Sequence, residues 1–123
     1  MIAGTVSARR EAVIGLRVRG PSGIESSVDA IIDTGFSGSL TLPSAVISTL
    51  GLVRVSKSHA ILADGSDCPF DVFEMEVEWG TGWRSILVSA VGTEVLAGMR
   101  LFADHELRIA VIPGGAVSVT PLP

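Results

Sequence analysis

The sequence predicts an all-β fold, and three observations carry that expectation. Glycine is abundant, with fourteen in 123 residues, and it breaks the chain into short segments. Those segments are rich in valine and isoleucine, and several alternate apolar with polar residues at period two. Helical periodicity is confined to the stretch from Ser44 to Leu50 and a single turn near Gly98 to Ala103. Hydrophobic residues make up 47% of the chain and charged residues 18%, which excludes a disordered segment. The length suits one domain, 1–123, with a modest core. So apolar a composition in so small a chain points to surface covered by a second copy, or simply to an oily core.

From Glu11 to Arg19 the even positions Ala12, Ile14, Leu16 and Val18 are apolar, the pattern of a half-buried strand. Gly20-Pro21-Ser22-Gly23 is turn punctuation, and Ile24 to Asp33 returns as the partner strand. Its later part, Val28 to Ile32, is apolar on both faces as it approaches Asp33. Leu40-Thr41-Leu42 reads as a short strand. Pro43 suits the first position of a helix running from Ser44 to Leu50, and Gly51 stands where a left-handed terminator belongs. Val53 to Leu62 is a strand that turns at Ala63-Asp64-Gly65-Ser66. Asp67-Cys68-Pro69 does not suit a central strand, because proline lacks a donor. From Phe73 the alternation is strict, and Phe70 and Val72 are in the opposite phase, so a bulge is expected near Val72-Phe73. Gly80-Thr81-Gly82 turns the chain into Trp83 to Val91. Leu107 to Val111 and Val117 to Val119 complete the strands, around a turn at Pro113-Gly114-Gly115.

Nine Lys and Arg against thirteen Asp and Glu give a net charge of -4, with no concentrated basic patch, so nucleic acid is not expected as a partner. No apolar run reaches the ~20 residues of a membrane span. Met1 to Glu11 lacks the pattern of a signal peptide. The single cysteine, Cys68, allows no internal disulfide and fits a reducing compartment. These features lead us to expect a soluble, cytoplasmic protein. His59 and His105 lie in no metal-ligand spacing, and Ile109 stands where a His-Glu-x-x-His helix would need its second histidine. No metal and no cofactor are therefore expected. Asp64, Asp67 and Asp71 lack calcium-loop spacing and read as turn and edge residues. Gly35-Phe36-Ser37-Gly38 leads to no lysine and no long helix, which excludes a phosphate-cradling loop.

The stretch Ala30-Ile31-Ile32-Asp33-Thr34-Gly35, with Ser37-Gly38 completing the turn, resembles the active-site motif of the retropepsin-like aspartic proteases, bacterial type. Leu96-Ala97-Gly98 followed by Met99 to Phe102 resembles a second element of that family, in which a glycine and a short helix pack behind the catalytic loop. The resemblance runs from about Val13 to Val119. It departs at Phe36, where viral members carry a small residue, and at Ala97, where a larger aliphatic residue is usual. It implies a closed β-barrel with one or two short helices. It also implies that the hairpin centred on Asp64-Gly65 is a flap over the site.

The same resemblance sets the expectation for function. Asp33, Thr34 and Gly35 would be catalytic. Phe36 and Ser37, with Ala63, Asp64 and Gly65 of the flap, would meet an extended peptide or protein substrate. The chemistry needs two carboxylates sharing one proton, one as general base on a water and one as general acid. The chain has one Asp-Thr-Gly, and its other acids lie in turns or alternate outward along strands. A homodimer that brings two copies of Asp33 together on a two-fold axis meets the need. Two other readings stand beside this one. One is a catalytically silent dimeric binding or scaffold module of the same fold. The other is a monomeric barrel with a chance motif.

Overall fold

The structure is a computed structural model that describes residues 2–123. In chain order the elements are β1 (Ile2–Val6), β2 (Ala12–Arg19), β3 (Glu25–Ile32), β4 (Leu40–Thr41), α1 (Ser44–Leu50), β5 (Arg54–Ile61), β6 (Asp67–Trp79), β7 (Gly82–Ser89), β8 (Leu96–Ala97), β9 (His105–Ile109) and β10 (Ala116–Pro121). Neighbouring strands run β5-β6-β7-β4-β8-β3-β2-β1-β10-β9, and β2 also pairs with β6. That extra pairing closes β6, β7, β4, β8, β3 and β2 into a ring, so the expected closed β-barrel is present. No helix among the described residues is long and apolar enough to cross a membrane.

The alternation read from the sequence is what fills the barrel. Ala12, Ile14, Leu16 and Val18 of β2 are all buried, as are Met75 and Val77 of β6 and Ile86 and Val88 of β7. Side chains of a strand alternate between faces, so period two delivers one face to the core and leaves the other to water. The ring closes over a short seam, with Val18 opposite Val77 and Arg19 opposite Glu76. Outside the barrel the Arg19 Nε–H donates to Glu76 Oε1 at 2.9 Å, and its guanidinium lies 4.0 Å from the centre of the Trp83 ring. Both valines are fully buried. Apolar packing inside and an ion pair outside therefore hold the same two rungs.

Several local expectations need correction. The amino-terminal strand β1 carries no alternation that marks it, because Gly4 sits at its centre. A Cβ there would lie 1.9 Å from the Val13 carbonyl oxygen, so only glycine lets β1 approach β2 this closely. Pro43 is the N-cap of α1, extended at ψ 152°, and the helix starts at Ser44. Gly51 ends it as expected, left-handed at φ 63°. The irregularity expected at Val72-Phe73 is real in phase, since Val72 and Met75 are both buried. The extra residue nonetheless lies in the facing strand, between Arg54 and Ser56 of β5, where the register shifts. Gly98 to Ala103 forms no helix but a run of turns, with Leu101, Phe102 and Ala103 N–H groups each bonding the carbonyl three residues back. One helix is therefore present among the described residues, where one or two were expected.

The hairpin of β5 and β6 projects from the barrel. No residue of β5 is buried, and β7 joins β6 only from Val72 onward. Asp67, Cys68 and Pro69 have β5 alone beside them, which is how proline is accommodated in the strand.

Leu40 links the two halves of the ring, with Val88 on one side and Ala97 on the other, and it is fully buried. Leu40→Ala should lower the unfolding free energy by about 2–5 kcal/mol. Leu87→Ala, on the 51% exposed face of β7, should change it by no more than about 0.5 kcal/mol. Urea denaturation followed by circular dichroism would check both, and similar losses at the two sites would contradict the barrel packing.

Candidate active site

Asp33 leaves the barrel at the end of β3, and its backbone is held before its side chain is considered. Ile31 and Ile32 pair in parallel with Leu96 and Ala97 of β8. The Ile31 N–H donates to the Val95 carbonyl and the Asp33 N–H to the Ala97 carbonyl, both at 2.9 Å. The chain then turns, with the Phe36 N–H on the Asp33 carbonyl at 3.1 Å. The segment after β8 ties the far side of the turn. The Gly98 N–H bonds the Ser39 carbonyl at 2.9 Å, the Met99 N–H the Phe36 carbonyl at 2.8 Å and the Arg100 N–H the Gly38 carbonyl at 3.2 Å. Residues 33–39 are thus a loop whose carbonyls and amides are bonded to one neighbouring strand exit.

The glycines make this contact close. A Cβ on Gly98 would lie 2.2 Å from the Gly38 carbonyl oxygen and 2.6 Å from Cδ2 of Phe36. A Cβ on Gly38 would lie 2.6 Å from Cζ of Phe36. The Phe36 ring is therefore folded back over its own loop, against two positions that have no side chain. This gives a physical reason why a bulky residue stands there. Thr41, buried at 5% exposure in β4, is a member that sequence reasoning missed. Its hydroxyl donates to the Glu94 carbonyl and accepts from the Leu96 N–H, each at 2.9 Å, and so pins the start of β8. A threonine inside the apolar run Leu40-Thr41-Leu42 was the only signal.

On this support the Asp33 side chain is half-buried, and one carboxylate oxygen, Oδ1, accepts the Gly35 N–H at 2.9 Å. Among the described residues it takes part in no ion pair. Thr34, Gly35 and Ser37 are exposed. A carboxylate with one oxygen anchored by a backbone amide and no neutralising cation can accept a proton from water or share one with a second acid. Among the described residues of one chain, no second carboxylate bonds to it.

Ala63, Asp64 and Gly65 lie at the tip of the β5–β6 hairpin, as expected. The turn is closed by the Leu62 N–H on the Ser66 carbonyl at 2.8 Å and the Gly65 N–H on the Leu62 carbonyl at 2.9 Å, with Gly65 at φ 84°. Asp64 Oδ1 accepts both the Ser66 hydroxyl at 2.6 Å and the Ser66 N–H at 2.9 Å. The Ser66 hydroxyl, and then its N–H, hold the Asp64 carboxyl below the usual carboxylate range. Exposed Ile61 and Leu62 flank the tip. Among the described residues no hydrogen bond joins the tip to the Asp33 loop. His59 is paired with Asp67 at 2.9 Å across the hairpin, and Cys68 is half-buried. His105 accepts the Trp79 indole N–H at 3.2 Å, far along the chain from the loop.

Two predictions test this geometry. Gly98→Ala should destabilise the fold by about 1–3 kcal/mol or more, because its Cβ meets backbone that cannot swing away. Thermal unfolding would measure the loss, and unchanged stability would refute the close contact. Asp64 should titrate below the usual carboxylate range in a nuclear magnetic resonance titration, and Ser66→Ala should raise it toward that range. The sign comes from the lowered value: the turn keeps its support above the ordinary carboxylate range and loses it as acid protonates Asp64.

A scan against protein-family models finds no match for this chain, and a search of curated proteins finds none. A search of solved structures finds a retropepsin-like aspartic protease from Rickettsia conorii, at a TM-score of 0.58 and 14% sequence identity. The match covers 98% of this chain and 90% of that one. The barrel, the ten strands and the single helix among the described residues are therefore those of a retropepsin-like fold.

Proposed function

We propose that this chain is an aspartic-type endopeptidase that hydrolyses peptide bonds as a homodimer, with Asp33 contributed by each copy. The observation that carries the reading is the half-buried Asp33 carboxylate, anchored by the Gly35 amide, held on a braced loop and in no ion pair among the described residues. The retropepsin-like fold agrees with it. A loop tied at residues 33, 36, 38 and 39 keeps its carboxylate in one orientation, and orientation is what a shared-proton dyad requires.

In the mechanism, the two Asp33 carboxyls hold one proton between them, since both cannot ionise a hydrogen bond apart. The ionised member takes a proton from a water lying between them, and that water attacks the scissile carbonyl carbon. The protonated member gives its proton to the carbonyl oxygen. Collapse of the tetrahedral intermediate then returns a proton to the leaving amine. Thr34 locks the two loops across the axis, and Gly35 allows their tight approach. An extended substrate pairs by main-chain bonds beneath the hairpin tips at Ala63, Asp64 and Gly65, while Phe36 and Ser37 border its side chains. Domain 1–123 would act as one unit. The single cysteine is suited to the cytoplasm.

Peptide-library cleavage between about pH 4 and 7, across a dilution series, tests this reading. Asp33→Asn should lower kcat/KM by at least about a hundredfold while leaving the fold intact. Specific activity should fall as the protein is diluted through its dimer constant. Cleavage that survives in Asp33→Asn would sink the mechanism, and a dimer that cuts nothing would favour a scaffold of the same fold.

A further inference from the structure

The barrel wall leaves part of one strand edge open. β7 meets β4 only at Val88 and Ser89, because β4 is two residues long. The Leu42 N–H donates to the Ser89 carbonyl at 3.2 Å, so Ser89 turns its main-chain groups away from β6. Main-chain directions repeat every second residue along a strand, so Leu87 and Ser85 turn the same way. Among the described residues no strand pairs with them on that side. A cleft of about 350 Å³ lies there, and its lining includes Ser39, Glu74, Arg84, Ser85, Leu87 and Arg100.

Two arginines give the cleft its charge, in a chain whose net charge is -4. Arg84 donates from Nη2 to the Leu101 carbonyl at 2.7 Å, and its guanidinium stands 4.7 Å from the centre of the Trp79 ring. The carbonyl and the ring fix the direction of the group without neutralising it. Arg84 is half-buried, and loss of hydration lowers its pKa from the usual arginine value. Among the described residues neither Arg84 nor Arg100 takes part in an ion pair. A half-buried cation without a counter-charge is costly, and a bound anion offsets that cost. Ser39 is only 7% exposed, and its hydroxyl makes no hydrogen bond among the described residues. No buried side-chain polar atom among them is left without a partner, so this hydroxyl opens into the cleft that Ser39 lines.

We propose that this cleft binds a small phosphate, held by the Arg84 and Arg100 guanidinium groups, the Ser39 hydroxyl and the Ser85 and Leu87 N–H groups. A guanidinium fork matches two oxygens of a phosphate at once, and main-chain amides on an open edge add fixed donors. Glu74 decides between anions. Its neighbour Glu76 is paired with Arg19, whereas Glu74 takes part in no ion pair among the described residues. A carboxylate accepts hydrogen bonds and cannot donate them. Phosphate keeps a hydroxyl proton near neutral pH and can give it to Glu74. Sulfate has no such proton and meets Glu74 only as a like charge. At about 350 Å³ the cleft stands at the small end of ligand sites, which suits inorganic phosphate or a compact phosphate monoester.

The cleft adjoins the Asp33 loop without including its carboxylate. The Gly98 N–H bonds the Ser39 carbonyl and the Arg100 N–H bonds the Gly38 carbonyl, so the cleft lies where the loop is tied to the segment after β8. A phosphate held there joins β7, Ser39 and Arg100 by side chains where no strand joins them. Its binding requires nothing of Asp33 as a catalyst.

Nuclear magnetic resonance of the 15N-labelled full chain tests the site, by titration with sodium phosphate at constant ionic strength and about pH 6. The amide signals of Ser39, Ser85, Leu87 and Arg100 should shift together and saturate with a Kd of about 1 mM or tighter. Sodium sulfate should bind at least about tenfold more weakly, and Glu74→Gln should close most of that gap. Arg100→Gln, at an exposed position outside the core, should weaken phosphate about tenfold. Arg84→Lys keeps a cation but loses the fork, and should weaken it by a similar factor. Asp33→Asn should leave phosphate affinity unchanged, whether or not the parent cleaves peptides. Glycerol phosphate as a second probe separates a free from an esterified ligand, the tighter of the two naming the source. No saturable shift below about 10 mM phosphate, a parent that binds phosphate and sulfate alike, or full affinity in Arg100→Gln would each overturn the site. Phosphate binding in a protein that cleaves nothing would keep the site and remove the protease reading. Cleavage through Asp33 without phosphate binding would do the reverse.

Discussion

A short parallel ladder between β3 and β8 governs the rest of this molecule. Strands distant in sequence meet there for only two rungs, Ile31 with Leu96 and Ile32 with Ala97. Parallel pairs are slightly weaker per residue than antiparallel ones, and two rungs alone would hold little. The ladder persists because it is continued on both sides. Thr41 bonds the backbone at Glu94 and Leu96, and the Gly98, Met99 and Arg100 amides continue the bonding past the strand end. The interaction that completes the barrel wall is thus the same one that fixes Asp33.

Close packing around that ladder explains the residue types. Gly98 and Gly38 are where the backbones and the Phe36 ring come too near for a Cβ. Phe36 fills the space that two glycines leave, so the loop is stiffened from within by an aromatic ring. The barrel seam is built differently, with buried valines and a half-buried Arg19–Glu76 pair backed by Trp83. An ion pair still open to solvent on one side contributes little by itself, and the valines and the main-chain ladder provide most of the closure.

Much of the site was legible in the sequence, and the reasons are local. Asp33-Thr34-Gly35 could be placed at a strand exit because Val28 to Ile32 is apolar on both faces. The hairpin tip could be placed at Asp64-Gly65 because turn chemistry is read from neighbouring residues. The helix limits came from Pro43 and Gly51, with an error of one position at its start. What escaped was set by partners distant in the chain. The bulge went to β5 rather than β6, because register is a property of two strands and the sequence of one shows only a change of phase. The stretch 98–104 is a run of turns, and its tie to the Asp33 loop, through the Gly98, Met99 and Arg100 amides, could not be read from its own residues. β1 was invisible because Gly4 has no side chain to take part in a pattern.

By itself the sequence determined most of the strands, the main turn positions and an acid delivered to the surface at the end of a buried strand. Periodicity and turn chemistry act between near neighbours, and near neighbours are what a sequence displays. Only the tertiary structure decided that β2 meets β6 to close the ring and that β8 lies beside β3. It also decided that Thr41 and Phe36 serve the loop, and that β5 and β9 are left as the two edges of the sheet. Each of these depends on hydrogen bonds and contacts between residues far apart in the chain, whose geometry exists only once the barrel has closed.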